Sequence, residues 1–341
     1  MNATLGKGDA RLETNSEHRS VPLDHFVSQV HLKNFYATEA PGRLVAIKKD
    51  DLRKFHAWSK NVCARSDGST NTYLQEPRAI EKFLKRVEGR YNEALEAIRR
   101  REPDGQDVYV IAGFVAYVAS CSPTAMRMSS PFFAATVESA AEIVDAQGLI
   151  PPAPEELGSK TVTQLLRDGS VHIKVDEKYP QAIGISQIEA RVHVFGNALW
   201  DVMFADPDDG AFCTSDFPIA LGPSYEQQVV SKTVPLAPDV AVRIHPKLSE
   251  RGKPPDFSFP NFQGRFRRLD AKEIREVNRE LVRAAEEMVF FTRDEDWLLT
   301  FVRNNRHFRS DATVTKVPTP AGKMIIARQG IVPFTRPALI L

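Results

Sequence analysis

Apolar residues recur at steps of three and four along two stretches of the chain, the spacing that places them on one face of an α-helix. The first stretch runs from Pro77 to about Arg100, and the proline lies in the first turn, where a helix tolerates it. Its stripe consists of Ile80, Phe83, Leu84, Val87, Tyr91, Leu95 and Ile98. The second stretch spans about 271–290, with Asp270 placed to cap it and Glu273 to complete a capping box. The pattern predicts two long amphipathic helices.

Shorter apolar segments predict further helices. They cover 25–35, 107–121, 131–146, 162–167, about 185–199 and 294–303. The most apolar of them, Val108 to Cys121, is too short to cross a hydrocarbon layer about 30 Å thick. We therefore expect a buried helix there and no membrane partner.

Runs in which apolar and polar residues alternate, or in which β-branched residues are frequent, predict strands, mostly in the last third of the chain. The predicted strands are 43–48, 228–236, 240–244 and, more weakly, 264–269, with hairpins formed by 200–206 with 211–216 and by 313–317 with 323–327. Residues 1–20 are polar and predict a mobile tail. The remainder predicts one large domain, 21–341, of the α+β class. Its helical part covers about 75–199, and its part from about 200 onward combines an antiparallel sheet of hairpins with one long helix.

Composition narrows the classes of partner. Hydrophobic residues make up 42% of the chain and charged residues 26%, which is typical of a folded protein. Lys and Arg number 45 against 44 Asp and Glu, so no global field attracts a polyanion and nucleic-acid binding would need a local patch. The near-zero net charge weakly favours a homo-oligomer. Three widely separated cysteines and the lack of an apolar leader favour a reducing, cytoplasmic location.

The sequence motifs of several common enzyme classes are absent. There is no GxxxxGK[ST] or GxGxxG loop, no HExxH or clustered Cys/His spacing, and no GxSxG elbow. These absences argue against phosphate-loop and dinucleotide-binding enzymes, zinc enzymes and α/β-hydrolases, but they leave other catalysis open. The sequence assigns no cofactor. Metal dependence also stays open, because carboxylates and a histidine hold a hard cation only if folding assembles them.

Three motifs in order resemble the bacterial family known as domain of unknown function 4238. They are the LDHFVSQVHLKNF run at 23–35, the FCTSDFP run at 212–218 and the VPLAP run at 234–238. The chain departs from the family pattern at Ser28, where the pattern has proline, and at Phe217, where it has asparagine. The resemblance covers residues from about 24 to 292. It implies a relationship to this family, which has no established activity to transfer.

The motif residues supply the candidate site. His25 is a candidate general base or ligand, oriented by Gln29 four residues later if the segment is helical. The alternative is a histidine hydrogen-bonded at a structural seam. Thr214, Ser215 and Asp216 leave a predicted strand, where a scaffold presents acids into a cleft. The alternative is that Asp216 caps the turn through backbone N–H groups.

Two more candidates are Glu88, on the first long predicted helix, and Arg127, between the helices predicted over 107–121 and 131–146. Glu88 adjoins the apolar stripe, and we expect it to pair with Arg127, an arrangement that is more often architectural than catalytic. The basic run 265–268, which includes Phe266, fits either a nucleic-acid strand or a solvated face.

The residues support three hypotheses. The first is a hydrolase acting on a phosphate-containing or nucleic-acid substrate, with His25 as acid/base, Asp216 or Glu88 as acidic partner and Arg127 stabilising negative charge. The second is a non-catalytic binding or regulatory module. The third is a toxin or defence effector, which rests only on the lack of housekeeping motifs. The expected ligand is a small molecule or a nucleic acid.

Overall fold

The computed structural model of the chain describes residues 22–319 and 322–336, so the predicted tail at 1–20 lies outside the described residues. The α-helices are α1 (Gln29–Lys33), α2 (Ala79–Glu88), α3 (Tyr91–Arg99), α4 (Gly105–Cys121), α5 (Pro123–Ala146), α6 (Val162–Arg167), α7 (Lys178–Ser186), α8 (Ile188–Gly196), α9 (Ala271–Ala284) and α10 (Trp297–Asn305). The β-strands are β1 (Leu23–His25), β2 (Arg43–Lys48), β3 (Lys54–Trp58), β4 (Ala64–Ser66), β5 (Leu199–Ala205), β6 (Thr214–Ser215), β7 (Ala220–Pro223), β8 (Val230–Ala237), β9 (Val240–His245), β10 (Gln263–Leu269), β11 (Met288–Phe291), β12 (Phe308–Thr319) and β13 (Gly322–Pro333).

A five-stranded sheet in the order β10-β5-β9-β8-β7 forms the centre of the fold. Its neighbours run antiparallel except β10, which is parallel to β5, so the sheet is mixed. The predicted hairpin of 200–206 with 211–216 is wrong, because β5 pairs with β9 while β6 pairs with β11. The physical reason is that both faces of β5 are buried: Val202 packs into one hydrophobic cluster and Met203 into another. An isolated hairpin would leave one of these faces in water.

A second, four-stranded antiparallel sheet in the order β3-β2-β11-β6 joins distant parts of the chain. Ala46 of β2 lies opposite Phe290 of β11, and Thr214 of β6 lies opposite Phe290 on the other side. The α+β class is therefore confirmed. The arrangement predicted along the chain is matched only loosely, because strands from the first sixty residues complete a sheet of the C-terminal half.

The core is arranged in layers around the five-stranded sheet. Helix α4 is buried on nearly all sides and packs against α2, α3, α7 and α8. This helical layer shares a hydrophobic cluster with one face of the sheet, whereas α9 packs with residues of the opposite face. An apolar helix without a polar face suits this central position, as its composition predicts.

Several predicted helices have different limits. The stretch from Pro77 to Arg100 breaks at Gly89, so α2 and α3 share the stripe across a turn. Helix α5 begins at Pro123, capped by the Ser122 hydroxyl, rather than at 131. Arg127 thus lies near the start of a helix.

Other limits follow from neighbouring strands and turns. The predicted helix at 185–199 divides into α7 and α8 and stops before β5. The helix predicted over 271–290 ends at Ala284, although its capping box at Asp270 is confirmed. Its last apolar residues, Met288 and Val289, pair in β11 instead.

The terminal hairpin is confirmed and is longer than predicted. Strands β12 and β13 pair from Phe308 opposite Pro333 to Thr319 opposite Gly322. The hairpin packs on α5, where Lys316 forms an ion pair with Glu138.

Within the described part of the chain, no single helix has both the length and the apolarity needed to cross a membrane. The bent pair α4 and α5, with 57° between the two helices, meets those two criteria only when its members are taken together.

Candidate functional site

Two of the predicted site residues, His25 and Asp216, line adjoining recesses. Asp216 lines a cleft of about 310 Å³ together with Thr124, Glu286 and residues of the 61–65 segment. His25 lines a narrower gap beside it. The two recesses share Phe26, Arg65 and Pro123, so His25 and Asp216 lie in adjoining parts of the same seam.

The Asp216 carboxylate binds the backbone that joins α9 to β11. Its Oδ1 accepts the N–H of Glu286 at 3.0 Å, and its Oδ2 accepts those of Glu287 at 2.7 Å and Met288 at 3.0 Å. Only 6% of the residue is exposed. Burial raises the pKa of Asp216, while the three N–H groups and the charge of Lys49 act against that rise.

Lys49 secures the other side of the same connection. Its ammonium is fully buried and donates to the carbonyl oxygens of Val282 at 2.7 Å, Ala285 at 2.6 Å and Phe308 at 2.9 Å. Burial lowers the pKa of Lys49, and Asp216 opposes that shift. A cation at the C-terminal carbonyls of α9 and an acid on the N–H groups that follow explain why this helix ends at Ala284.

Thr214 and Ser215 are also bound internally. The Thr214 hydroxyl lies 2.8 Å from His31 Nε2, and His31 Nδ1 lies 2.9 Å from the Tyr91 hydroxyl. Since Tyr91 donates its own proton to the Leu236 carbonyl, it must accept from His31 Nδ1–H, and Nε2 then accepts from Thr214. Burial lowers the pKa of His31 to about 3, which keeps the imidazole neutral.

Ser215 has no adjacent base. Its hydroxyl oxygen accepts the backbone N–H of Phe217 at 3.2 Å, and its side chain is fully buried. The hydroxyl closes the turn that follows β6.

Arg127 forms ion pairs other than the predicted one. Its guanidinium binds Glu286 at 2.7 Å and Asp311 at 2.9 Å, and donates to the Ser310 carbonyl at 2.6 Å. The pair with Glu88 is wrong: among the described residues, no ion pair or side-chain hydrogen bond involves Glu88. Because Arg127 lies near the start of α5, it reaches the terminal hairpin and the α9–β11 connection.

His25 and Gln29 lie close together, although His25 belongs to β1 and Gln29 begins α1. The Gln29 amide nitrogen is 3.5 Å from His25 Nδ1. His25 Nε2 is buried and has no hydrogen-bond partner within residues 22–319 and 322–336. Two of the six predicted residues, His25 through Nε2 and Arg127 through Nε, have a buried nitrogen without a hydrogen-bond partner in the described ranges, and His25 also lines a recess.

A larger recess lies on the helical side of the five-stranded sheet, where the sequence indicated no site. Its volume is about 660 Å³. The residues that line it are mostly apolar: Ala119, Met128, Ala190, Val194, Phe195, Phe217, Ile219, Leu221, Val230, Pro246 and Gly252, with Gln187, Gln329 and the three cations Arg191, Lys232 and Arg251. We call this recess the basic pocket. None of these described lining residues is acidic.

In the part of the chain that the structure describes, none of the three cations of the basic pocket forms an ion pair with an acidic side chain. Lys232 lies over the Phe195 ring, 4.9 Å from its centroid, and Arg191 has only a long contact of 3.4 Å to the Ala119 carbonyl. Burial lowers the pKa of Lys232 to about 7, and the charges of Arg191 and Arg251 add to this effect. Burial also lowers the pKa of Arg191. Desolvation is the main cause of both shifts, and among the described residues neither of these half-exposed cations forms an ion pair with a carboxylate.

A weak sequence signal marks this pocket. Lys232 interrupts the apolar run VVSKTVPLA of β8, and Arg191 interrupts IEARVHVFG of α8. A single cation inside a buried element is uncommon unless it is paired or has a ligand. The pattern alone does not show that the two elements bring their cations together.

Within the described ranges, no group of three or more His, Cys, Asp or Glu side chains is placed to hold a metal ion. The three cysteines are free and buried. Burial raises the pKa of Cys121 to about 12, and burial together with the Asp216 charge raises that of Cys63, which lines the smaller cleft. Neither thiol is activated as a nucleophile.

The fold and its recesses define an α+β protein with an internally bonded TSD motif and a separate basic pocket. A family model for a protein of unknown function, DUF4238, matches residues 24–295, and the chain belongs to that family. The match confirms the resemblance seen in the motifs and includes Arg191, Lys232 and Arg251. Comparison with curated proteins and with solved structures found no match.

The contacts of Asp216 lead to a stability prediction. In Asp216→Asn an amide N–H2 replaces an oxygen that accepts one or two backbone N–H groups, which leaves buried donors unpaired. We expect the free energy of unfolding to fall by about 3 kcal/mol, measured by urea denaturation. Asp208→Asn, at an exposed turn, is the control and should change it by less than about 0.5 kcal/mol. An unchanged stability in Asp216→Asn would contradict the structural role and favour the catalytic one.

Proposed function

We propose that the protein binds a small molecule that combines an anionic group with an apolar body, and that the basic pocket holds it. The observation behind the proposal is the convergence of Arg191, Lys232 and Arg251 on one apolar cavity whose described lining contains no acid. This function corresponds to a binding or regulatory module with a small-molecule ligand.

The charge of the pocket supports an anionic ligand. Buried cations are usually paired, since desolvation of an isolated charge costs several kcal/mol. Here Arg191 and Lys232 are half-buried in the helical layer and the sheet, and within the described part of the chain neither forms an ion pair with a carboxylate. An oxyanion placed between them would accept charge-assisted hydrogen bonds from both and would restore the missing counter-charge.

The size and lining of the pocket support a ligand with an apolar body. About 660 Å³ lies within the range of sites that enclose drug-sized molecules. Apolar walls from Val194, Phe217 and Ile219 contribute about 25 cal/mol for each Å² of apolar ligand surface that they bury. Phosphate, sulfate and carboxylate head groups share the required chemistry.

The binding proposal is tested with octyl sulfate, whose charge is fixed near neutral pH. We expect saturable binding at one site, measured by isothermal titration calorimetry below the micelle concentration. Lys232→Met should weaken it by at least about 10-fold, because one charge-assisted hydrogen bond contributes about 1.5–3 kcal/mol. Lys82→Met, at an exposed lysine paired with Glu76, is the matched control and should bind as the native chain does. Native affinity in Lys232→Met, or equal affinity for neutral 1-octanol, would contradict the proposal.

The depressed pKa of Lys232 predicts an unusual pH dependence. As the pH rises through about 7, unliganded Lys232 loses its proton, so the affinity for octyl sulfate should fall. Unfolded Lys232 keeps its proton to about pH 10.4, so the unliganded protein should gain stability over the same interval. Opposite trends in calorimetric affinity and in thermal unfolding should both flatten in Lys232→Met. An affinity that does not change between about pH 6 and about pH 8.5 would count against Lys232 as the binding cation.

The second candidate function is hydrolysis of a phosphate-containing or nucleic-acid substrate at the seam between His25 and Asp216. Two observations favour it: His25 lines a recess and its Nε2 has no hydrogen-bond partner among the described residues, and burial moves the pKa of Asp216 upward, toward that of a general acid. Arg127 is bound to Glu286, which lines the neighbouring cleft.

This second candidate predicts that His25→Gln lowers hydrolysis of 4-nitrophenyl phosphate or of single-stranded RNA by at least about 100-fold. Octyl sulfate binding should stay unchanged in that variant. His172→Gln replaces an exposed histidine and serves as the control. Equal rates in the His25 and His172 variants would exclude His25 as the acid/base.

A further inference from the structure

Three polar side chains form a connected line at one end of the five-stranded sheet. Asp201 lies in β5, His245 ends β9, and Ser224 follows β7. Asp201 Oδ2 is 3.0 Å from His245 Nε2, and Ser224 Oγ is 3.3 Å from His245 Nδ1. The sheet brings the acid and the imidazole together, because Leu199, two residues before Asp201, lies opposite His245 in the antiparallel pair.

The hydrogen bonds fix the direction of proton transfer. A carboxylate only accepts, so the His245 nitrogen that faces Asp201 bears the proton. Burial lowers the pKa of His245, with only 7% of the residue exposed, so the ring is neutral near pH 7 and Nδ1 has a free lone pair. That lone pair faces the Ser224 hydroxyl. The arrangement is an acid that orients an imidazole, and an imidazole that accepts a proton from an alcohol.

The surroundings of His245 maintain this arrangement. The Tyr225 ring covers the imidazole at 4.3 Å between centroids, and its hydroxyl donates to Asp201 at 3.3 Å. Arg265 contacts the Tyr225 hydroxyl at 3.4 Å, and Arg243 also contributes positive charge near His245. Asp201 is thus held by two donors, the imidazole and the phenol.

Ser224 opens onto a recess that adjoins the basic pocket. This recess has a volume of about 370 Å³ and shares Leu221, Val230 and Gln329 with the basic pocket. Gln227 and Gln329 contribute amide groups to its wall, and amide N–H groups are donors of the kind that stabilise an oxyanion. A ligand held by Lys232 therefore has a route along a common wall to Ser224.

We propose that Ser224, His245 and Asp201 hydrolyse a carboxylic ester whose anionic, apolar part occupies the basic pocket. The location of the anionic part rests on the proposed function, whereas the reaction rests on the three side chains alone. Ser224 is the nucleophile, His245 the general base and then acid, and Asp201 the residue that positions the imidazole.

The reaction proceeds in two balanced steps. The Ser224 oxygen bonds to the carbonyl carbon and its proton passes to His245 Nδ1; the ester C–O bond breaks, and the alkoxide takes that proton and leaves as an alcohol. In the second step His245 takes a proton from water, and the hydroxide bonds to the acyl carbon. The bond to Ser224 then breaks, the serine recovers the proton from His245, and a carboxylic acid leaves. No redox partner is needed.

The test uses a fluorophosphonate probe on the full-length protein, followed by peptide mass spectrometry. An activated serine displaces fluoride from phosphorus, so we expect one covalent adduct on Ser224 and none in Ser224→Ala. Ser170→Ala is the matched control, because Ser170 bonds Asp168 at 2.6 Å but has no histidine in that contact. His245→Gln should slow labelling by at least about 100-fold. A folded native protein that is not labelled at Ser224 would overturn the proposal.

Ester turnover separates this inference from the proposed function. Hydrolysis of neutral 4-nitrophenyl butyrate should require Ser224 and be unaffected by the control substitution Lys82→Met. Hydrolysis of the mono-4-nitrophenyl ester of octanedioic acid, which ends in a carboxylate, should have a KM at least about 10-fold higher in Lys232→Met. Octyl sulfate binding without Ser224 labelling would support ligand binding in the basic pocket and contradict the ester hydrolysis. Ser224 labelling, with octyl sulfate binding and KM unchanged in Lys232→Met, would support the ester hydrolysis and contradict Lys232 as the binding cation.

Discussion

The connection between α9 and β11 depends on a pair of opposite charges buried on either side of it. Lys49 satisfies the last carbonyl groups of the helix, and Asp216 satisfies the N–H groups that follow. Each group would be costly to bury alone, and each is compensated by several backbone partners. Because Lys49 follows β2 and Asp216 follows β6, the same pair fixes the order of the four-stranded sheet. Helix α9 is thereby held against the five-stranded sheet, on the face opposite the basic pocket, and the segment that follows it lines the cleft beside Asp216.

The sequence was most informative where one segment decides its own structure. The capping box at Asp270, the stripe that includes Val87 and Tyr91, and the pairing of the two terminal strands depend on near neighbours, and each was predicted. It was least informative where a distant partner decides. Met288 and Val289 continue the apolar period of α9, yet β2 is available to pair with them, and sheet pairing outweighs one more helical turn. The parallel addition of β10 to β5 was hidden for the same reason.

The candidate site shows the same division. The motif residues were recognised, and most of their polar atoms prove to be bonded inside the protein: Thr214 to His31, Ser215 to Phe217 and Asp216 to three N–H groups. This segment crosses from β6 of the four-stranded sheet to β7 of the five-stranded sheet, and that structural role accounts for the internal bonds of its polar residues. Arg191, Lys232 and Ser224 stand alone in their segments. The folded chain brings Arg191 and Lys232 together in the basic pocket and places Ser224 in the recess beside it.

The terminal hairpin has a consequence for how relatives diverge. Gln329 of β13 borders both the basic pocket and the recess beside Ser224, yet it lies beyond residue 295, where the family match ends. The cations thus come from the matched region and part of the enclosing wall comes from outside it. Changes in the length or sequence of this hairpin would reshape the entrance while the charged floor stayed as it is. Under the proposed function, homologues could then differ in ligand preference without a loss of fold stability.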